Sequence, residues 1–337
     1  MNANPGNNLN EFKMLIKKPI WTLLNRHRQG RKKNICIFAS RRGGSTWLME
    51  LIASNKGIRY IDQPFSIYSA SLIQFQYLPV FDYGQFIHLD KEEKEMVKYY
   101  FNVLFEGSLK INSQWKFWQK DFDFVSDRLV LKIVDAKGII DWIEQCFDVH
   151  IIYLTRHPIP QALSVMRNGW GLTVKAYLRN SYFVEHYLND DILAYCHDIL
   201  KKGSLLQKYV LNWSLENLVP IRMIPNKPDW IYISYENLTL FPEKTILQLV
   251  KVLDLVNLDS MMKKIKRPSI STEKFSISQK KHMISSHNYD YLIKGWKKEI
   301  SDEDERSAFK ILEKLGITIY QYSQFLPSVQ TGAGFKL

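Results

Sequence analysis

Two hydrophobic patterns alternate along this chain. Short apolar runs bounded by turn residues occur at 35–39, 58–62, 128–133, 149–154 and 230–235, and predict five buried strands. Between them lie segments whose apolar positions fall three and four apart: 47 to about 55, 138–147, the stretch opening at Pro158, 242–255, and 301–315 behind Ser301. These predict helices. Asp90 with Glu93 is the signature of a helix cap ahead of Met96, Tyr99, Tyr100 and Val103. Strands alternating with helices of this length predict an α/β fold, a central parallel sheet flanked by helices. Ligands of such sheets sit beyond the carboxyl ends of the strands. Arg42, Asp62, Lys132 and Arg156 all fall at or near such ends.

Composition narrows this only a little. Hydrophobic residues make up 46% of the 337, enough for a packed core, so disorder is excluded for the body of the chain. A net charge of +12 suits an anionic ligand, a nucleic acid or an acidic membrane surface without choosing among them. No apolar run is long enough to span a bilayer; the stretch 63–81 is uncharged but broken by Gln, Ser and Pro. Residues 1–10 are polar and carry no secretory signal, and Cys36, Cys146 and Cys196 lack metal or disulfide spacing. A reducing, cytoplasmic setting without a metal is the expectation.

Three units are expected: a basic, partly disordered segment at 1–33, one large domain at 34–325 and a tail at 326–337. Residues 12–33 carry Lys13, Lys17, Lys18 and a basic run, and read either as a peripheral membrane contact or as a packed helix with a solvated linker. Pro19 interrupts the periodicity and favours the latter. The aromatic stretch 64–86 reads as a wall of an acceptor site or as surface helices. Trp115 and Trp118 read as an acceptor lining or as core.

The stretch from Ile35 to Leu48 carries the chemistry. An apolar strand runs into Ser40-Arg41-Arg42-Gly43-Gly44-Ser45-Thr46, and Trp47, Leu48, Leu51 and Ile52 follow at helical spacing. Strand, glycine turn and helix N-terminus hold an anion, because free amides point outward and the helix dipole favours negative charge. Gly43 and Gly44 let the backbone approach, Ser45 and Thr46 add hydroxyls, and Arg42 adds a fixed charge. A nucleoside triphosphatase would want G-x-x-x-x-G-K-S/T, but Gly44 stands where that lysine belongs. A second strand ends on Arg156 and turns into a helix at Pro158, where a missing N–H matters little. Arg156 and Ser164, two turns along that helix, suit one phosphate.

The order Arg42-Gly43-Gly44-Ser45-Thr46-Trp47 resembles the 5′-phosphosulfate loop of sulfotransferases that use 3′-phosphoadenosine 5′-phosphosulfate. Arg156 and Ser164, eight apart, resemble that family's 3′-phosphate motif. Tyr235-Glu236-Asn237-Leu238 and the stretch from Gly295-Trp296 to Leu315-Gly316 resemble two further family segments. The resemblance implies a P-loop-type nucleotide-binding fold and in-line sulfuryl transfer to a hydroxyl of a glycan, lipid or small molecule, with adenosine 3′,5′-bisphosphate as product. It implies that Arg41, Arg42, Gly43, Gly44, Ser45, Thr46, Trp47, Arg156 and Ser164 bind the nucleotide. Arg42 would meet the charge on the leaving oxygen, and Lys132 aligns with a lysine that helps bind the sulfuryl group. The chain departs from the family in three places. Val134 stands where one branch has its histidine base, and Gln63 where another has a glutamate. The Arg-Lys-Gly triplet is missing, with Lys280, Lys281 or Lys294 as replacements. Asp62, Asp135 and His88 remain as candidate bases, Asp62 ahead of the others.

Two other classes compete. A nucleotide-dependent kinase of related fold would use Asp135 as a magnesium ligand. A non-catalytic basic protein would contact nucleic acid or membrane through 26–33 and 263–267, yet no aromatics interleave there to stack on bases. No nucleic-acid partner is therefore expected.

Overall fold

Five strands hydrogen-bond in parallel into one sheet: β1 (Asn34–Ala39), β2 (Ile58–Asp62), β3 (Arg128–Ile133), β4 (Val149–Thr155) and β5 (Ile231–Ser234), in the order β2-β3-β1-β4-β5. The computed structural model describes residues 23, 25–65, 76–81, 84–111, 123–267 and 289–328. Most of the basic patch at 12–24, the aromatic run at 66–75, Trp115, Trp118, Lys280, Lys281 and the tail beyond 328 lie outside the described residues.

β1 is central and buried along its whole length, which is why it reads as a continuous apolar run. Alternate residues feed opposite layers. Cys36 and Phe38 join a core with Leu131, Tyr153, Trp213 and Ile311; Ile35, Ile37 and Ala39 join a second core with Leu48, Ile152, Leu249 and Met261. Truncating Phe38 to alanine removes a fully buried ring, which costs about 3–5 kcal/mol.

The helices that matter for the site are α1 (Ser45–Ile52), α2 (Lys91–Phe105), α3 (Ile140–Cys146), α4 (Pro158–Arg167), α5 (Leu205–Met223), α6 (Tyr235–Leu240), α7 (Pro242–Val252), α8 (Leu258–Ile265) and α9 (Asp302–Lys314). The caps expected at Asp90 and Ser301 are present: Asp90 Oδ1 accepts from the Glu93 N–H at 2.9 Å, and Ser301 Oγ accepts from the Asp304 N–H at 3.0 Å.

Sequence expectations need correction at three places: the end of β5, the end of α7 and the start of α3. α2 buries Val97, Tyr100, Phe101 and Leu104, while Met96 and Tyr99 face solvent. β5 stops at Ser234 because its hydroxyl caps a new helix, accepting from the Asn237 N–H at 3.0 Å; Tyr235 therefore opens α6 instead of ending a strand. α7 ends at Val252, and a 3-10 turn over Lys137–Ile139 precedes α3. Within the basic linker, Arg26–His27 pairs in parallel with Val125–Ser126. Among the described residues no helix is long and apolar enough to cross a membrane.

Candidate active site

The turn between β1 and α1 is built on left-handed backbone. Arg42 has φ 63° and Gly44 φ 93°, and the Gly43 N–H closes the turn on the Ser40 carbonyl at 3.1 Å. The first intrahelical bond runs from the Leu48 N–H to the Gly44 carbonyl at 3.2 Å. The amides of residues 45–47 are thus the orphan donors of a helix start, beside its positive dipole end. Gly44 is required twice over: by its φ, and because a Cβ there would lie 2.6 Å from Cδ2 of Tyr235.

The second strand-to-helix turn comes to the same place. Arg156 Nη1 donates to the Arg42 carbonyl at 3.1 Å, and Arg42 Nε donates to Ser164 Oγ on α4 at 3.0 Å. The Arg156 guanidinium lies over the Tyr235 ring, 4.6 Å from its centroid. Pro158 opens α4 at its first position, and the neighbouring His157 N–H donates to Glu236 Oε1 at 2.9 Å. Trp47 leans on the same ring, centroids 6.1 Å apart, with its Nε1–H on the Arg267 carbonyl at 3.1 Å.

Strand register supplies the third cation. Asp62 on β2 and Ile37 on β1 both pair with Lys132 on β3, setting that lysine one strand away from β1. Its buried Nζ donates to Thr46 Oγ1 at 3.0 Å and pairs with Asp62 Oδ1 at 2.6 Å. About a third of the Asp62 side chain stays open to solvent. Gln63, just beyond, has left-handed backbone at φ 53°, and its N–H donates to the Lys132 carbonyl at 2.8 Å.

Asp135 lies within electrostatic reach of Lys132, Arg41, Glu216 and Lys137; burial pushes its carboxyl up, against the pull of Lys137 and Arg41. His88 stacks on Tyr182 at 3.5 Å in a separate aromatic cluster, where burial lowers its pKa. Lys294 Nζ lies 5.5 Å from the Phe325 ring.

Tyr235, Trp170 and Glu216 were not singled out from sequence as site residues. Arg41 and Arg42 both lie against Trp170, 5.7 and 5.8 Å from its ring centroid. Tyr235 opens the segment already noted as family-like, which was the available signal; nothing in the sequence marks Glu216 or Trp170.

No family model matches the chain, and no curated protein matches it. Solved structures do. Mouse sulfotransferase SULT7A1 complexed with PAP is 16% identical over 85% of this chain and 86% of that one, with a TM-score of 0.37. The sulfotransferase domain from the curacin biosynthetic pathway is 16% identical over 85% and 99%, with a TM-score of 0.44. A sulfotransferase from Alicyclobacillus acidocaldarius is 10% identical over 84% and 97%, with a TM-score of 0.34. The likeness is to sulfotransferases. At scores this low it carries nothing about chemistry, which has to come from the side chains.

Proposed function

We propose that this chain transfers a sulfuryl group from 3′-phosphoadenosine 5′-phosphosulfate to an acceptor hydroxyl. One observation carries the reading: the two strand-to-helix turns meet, with Arg156 on the Arg42 carbonyl and Arg42 on Ser164, so two anion pockets adjoin. A nucleotide with phosphate at both ends of one ribose calls for two adjoining pockets.

The residues fit such a ligand. Arg42, the amides of 45–47 and the Ser45 and Thr46 hydroxyls form the pocket for the phosphosulfate, and Arg156 with Ser164 the pocket for the 3′-phosphate. Trp47 and Tyr235 offer ring faces beside them. The nucleotide supplies the sulfuryl group and is released as adenosine 3′,5′-bisphosphate. Arg42 and Lys132 neutralise negative charge at the glycine turn. Asp62, at the open end of β2, is the base that takes the proton from the acceptor hydroxyl. The Lys132 ammonium against Thr46 Oγ1 favours this reading over the kinase. A kinase would want that hydroxyl on magnesium, and a buried lysine there repels a divalent cation.

Adenosine 3′,5′-bisphosphate at millimolar concentration should raise the melting temperature. Arg42→Ala and Arg156→Ala should each remove the rise; no rise in the unmodified protein sinks the proposal. The acceptor class follows from the hydroxyl chemistry: a glycan, a lipid headgroup or a small molecule in the cytoplasm. Transfer of labelled sulfate into an extract, with mass analysis of the product, identifies it.

A further inference from the structure

Behind the glycine turn lies a set of charged side chains that no strand end accounts for. Glu216, in the middle of α5, has only 10% of its side chain exposed. Its Oε1 accepts from Thr173 Oγ1 and from Asn212 Nδ2, both at 2.9 Å, and lies 3.5 Å from Arg41 Nη2. Its Oε2 lies 3.5 Å from the buried Lys137 Nζ. Lys137 Nζ donates to Ser40 Oγ at 2.8 Å and reaches the Val134 carbonyl at 3.3 Å and the Ala39 carbonyl at 3.5 Å. One carboxylate therefore holds both a lysine beneath the end of β1 and the arginine that opens the turn. Burial pushes the Glu216 carboxyl up, but Lys137, Arg41 and the two hydrogen bonds outweigh it and hold it at about 2. The Arg41 carbonyl is fixed as well, accepting from Gln161 Nε2 at 2.7 Å.

Two adjacent arginines repel each other; both lie against the Trp170 ring, but their polar partners differ. Arg41 faces Glu216, whereas the left-handed φ of Arg42 sends its guanidinium to Ser164. We infer that Glu216 and Lys137 are positioning residues that clamp Arg41 and Ser40 as the fixed half of the anion turn, leaving Arg42 as the loop arginine that meets the ligand. The ligand half of this statement rests on the nucleotide reading above; the clamp itself does not.

The test uses the full chain, titrated calorimetrically with adenosine 3′,5′-bisphosphate at several salt concentrations. Arg41→Gln and Glu216→Gln should each weaken binding about tenfold, and the double variant also about tenfold, because both remove the same contact. Arg41→Lys should restore most of the affinity. The salt dependence should stay unchanged in Arg41→Gln but flatten in Arg42→Gln, which loses a charge facing the phosphates. Additive losses together with a flattened salt dependence in Arg41→Gln would overturn the assignment. Hydrogen exchange over residues 40–48 in the unliganded protein separates the two ideas. Exchange in Glu216→Gln that quickens over residues 40–48 by more than it does in the sheet strands supports the clamp even in a protein that binds no such nucleotide. Unchanged exchange refutes it. Should Glu216→Gln not fold, Lys137→Met and Arg41→Gln carry the same exchange measurement.

Discussion

The turn after β1 and the turn after β4 deliver arginines to one place by opposite means. The first is glycine-rich and left-handed, and it leaves the amides of a helix start open. The second has a proline at the first helical position and has already given its His157 N–H to Glu236. A cradle of backbone donors faces a clamp made of side chains alone. The backbone cradle has no tolerance for a Cβ, whereas the clamp depends on which side chain Arg156 carries and hardly on the chain beneath it.

Substitutions that strike one turn and spare the other test this contrast. The largest effect should come from Gly44→Ala. Left-handed backbone strains a non-glycine residue by about 1–3 kcal/mol, and the new Cβ also meets the Tyr235 ring. The melting-temperature rise with adenosine 3′,5′-bisphosphate should vanish, and survival of even half of it contradicts the cradle. Next comes Glu216→Gln, beneath the same turn. Leaving Lys137 and Arg41 with Asp135 as their remaining nearby carboxyl should lower unfolding stability by about 3–5 kcal/mol near neutral pH, measured in urea. Its pH dependence has a definite sign. The folded-state value of about 2 lies below the ordinary 4.5. The wild type should therefore hold this stability above about pH 4.5 and lose it as pH falls towards 2, a slope absent from the variant.

Smaller effects belong to the second turn. Arg156→Lys keeps the charge but gives up the planar contact with Tyr235 and the fork, so affinity should drop by about 1–2 kcal/mol. Full loss there would mean that the guanidinium geometry, and not its charge, governs the pocket. Pro158→Ala should change stability by less than about 1 kcal/mol and leave binding as it was, since the first helical position needs no N–H. A marked loss of binding would show that this turn, too, depends on its backbone.

Much of this was readable before any coordinates. All five sheet strands follow from apolar runs, and the caps at Asp90 and Ser301 follow from local chemistry. The pairing of Lys132 with Asp62 depends on strand register, so the sequence marks both residues without saying that they touch. Glu216 was invisible for a stricter reason. It stands 175 positions from Arg41, and only packing of α5 against the turn gives it a role. Tyr235 was misread as a strand residue because its β-propensity agrees with the run before it; the hydroxyl of Ser234 ends the strand first.

The corner where β5 enters α6 bears on how the molecule is made. Tyr235 supports Gly44 and Arg156, while the adjacent Glu236 holds the His157 N–H and, through Oε2 at 2.8 Å, the Tyr320 hydroxyl. During synthesis the glycine turn leaves the ribosome early, yet its floor arrives nearly two hundred residues later and the brace for that floor later still. A nascent chain halted before residue 235 holds every arginine of the site and has no pocket.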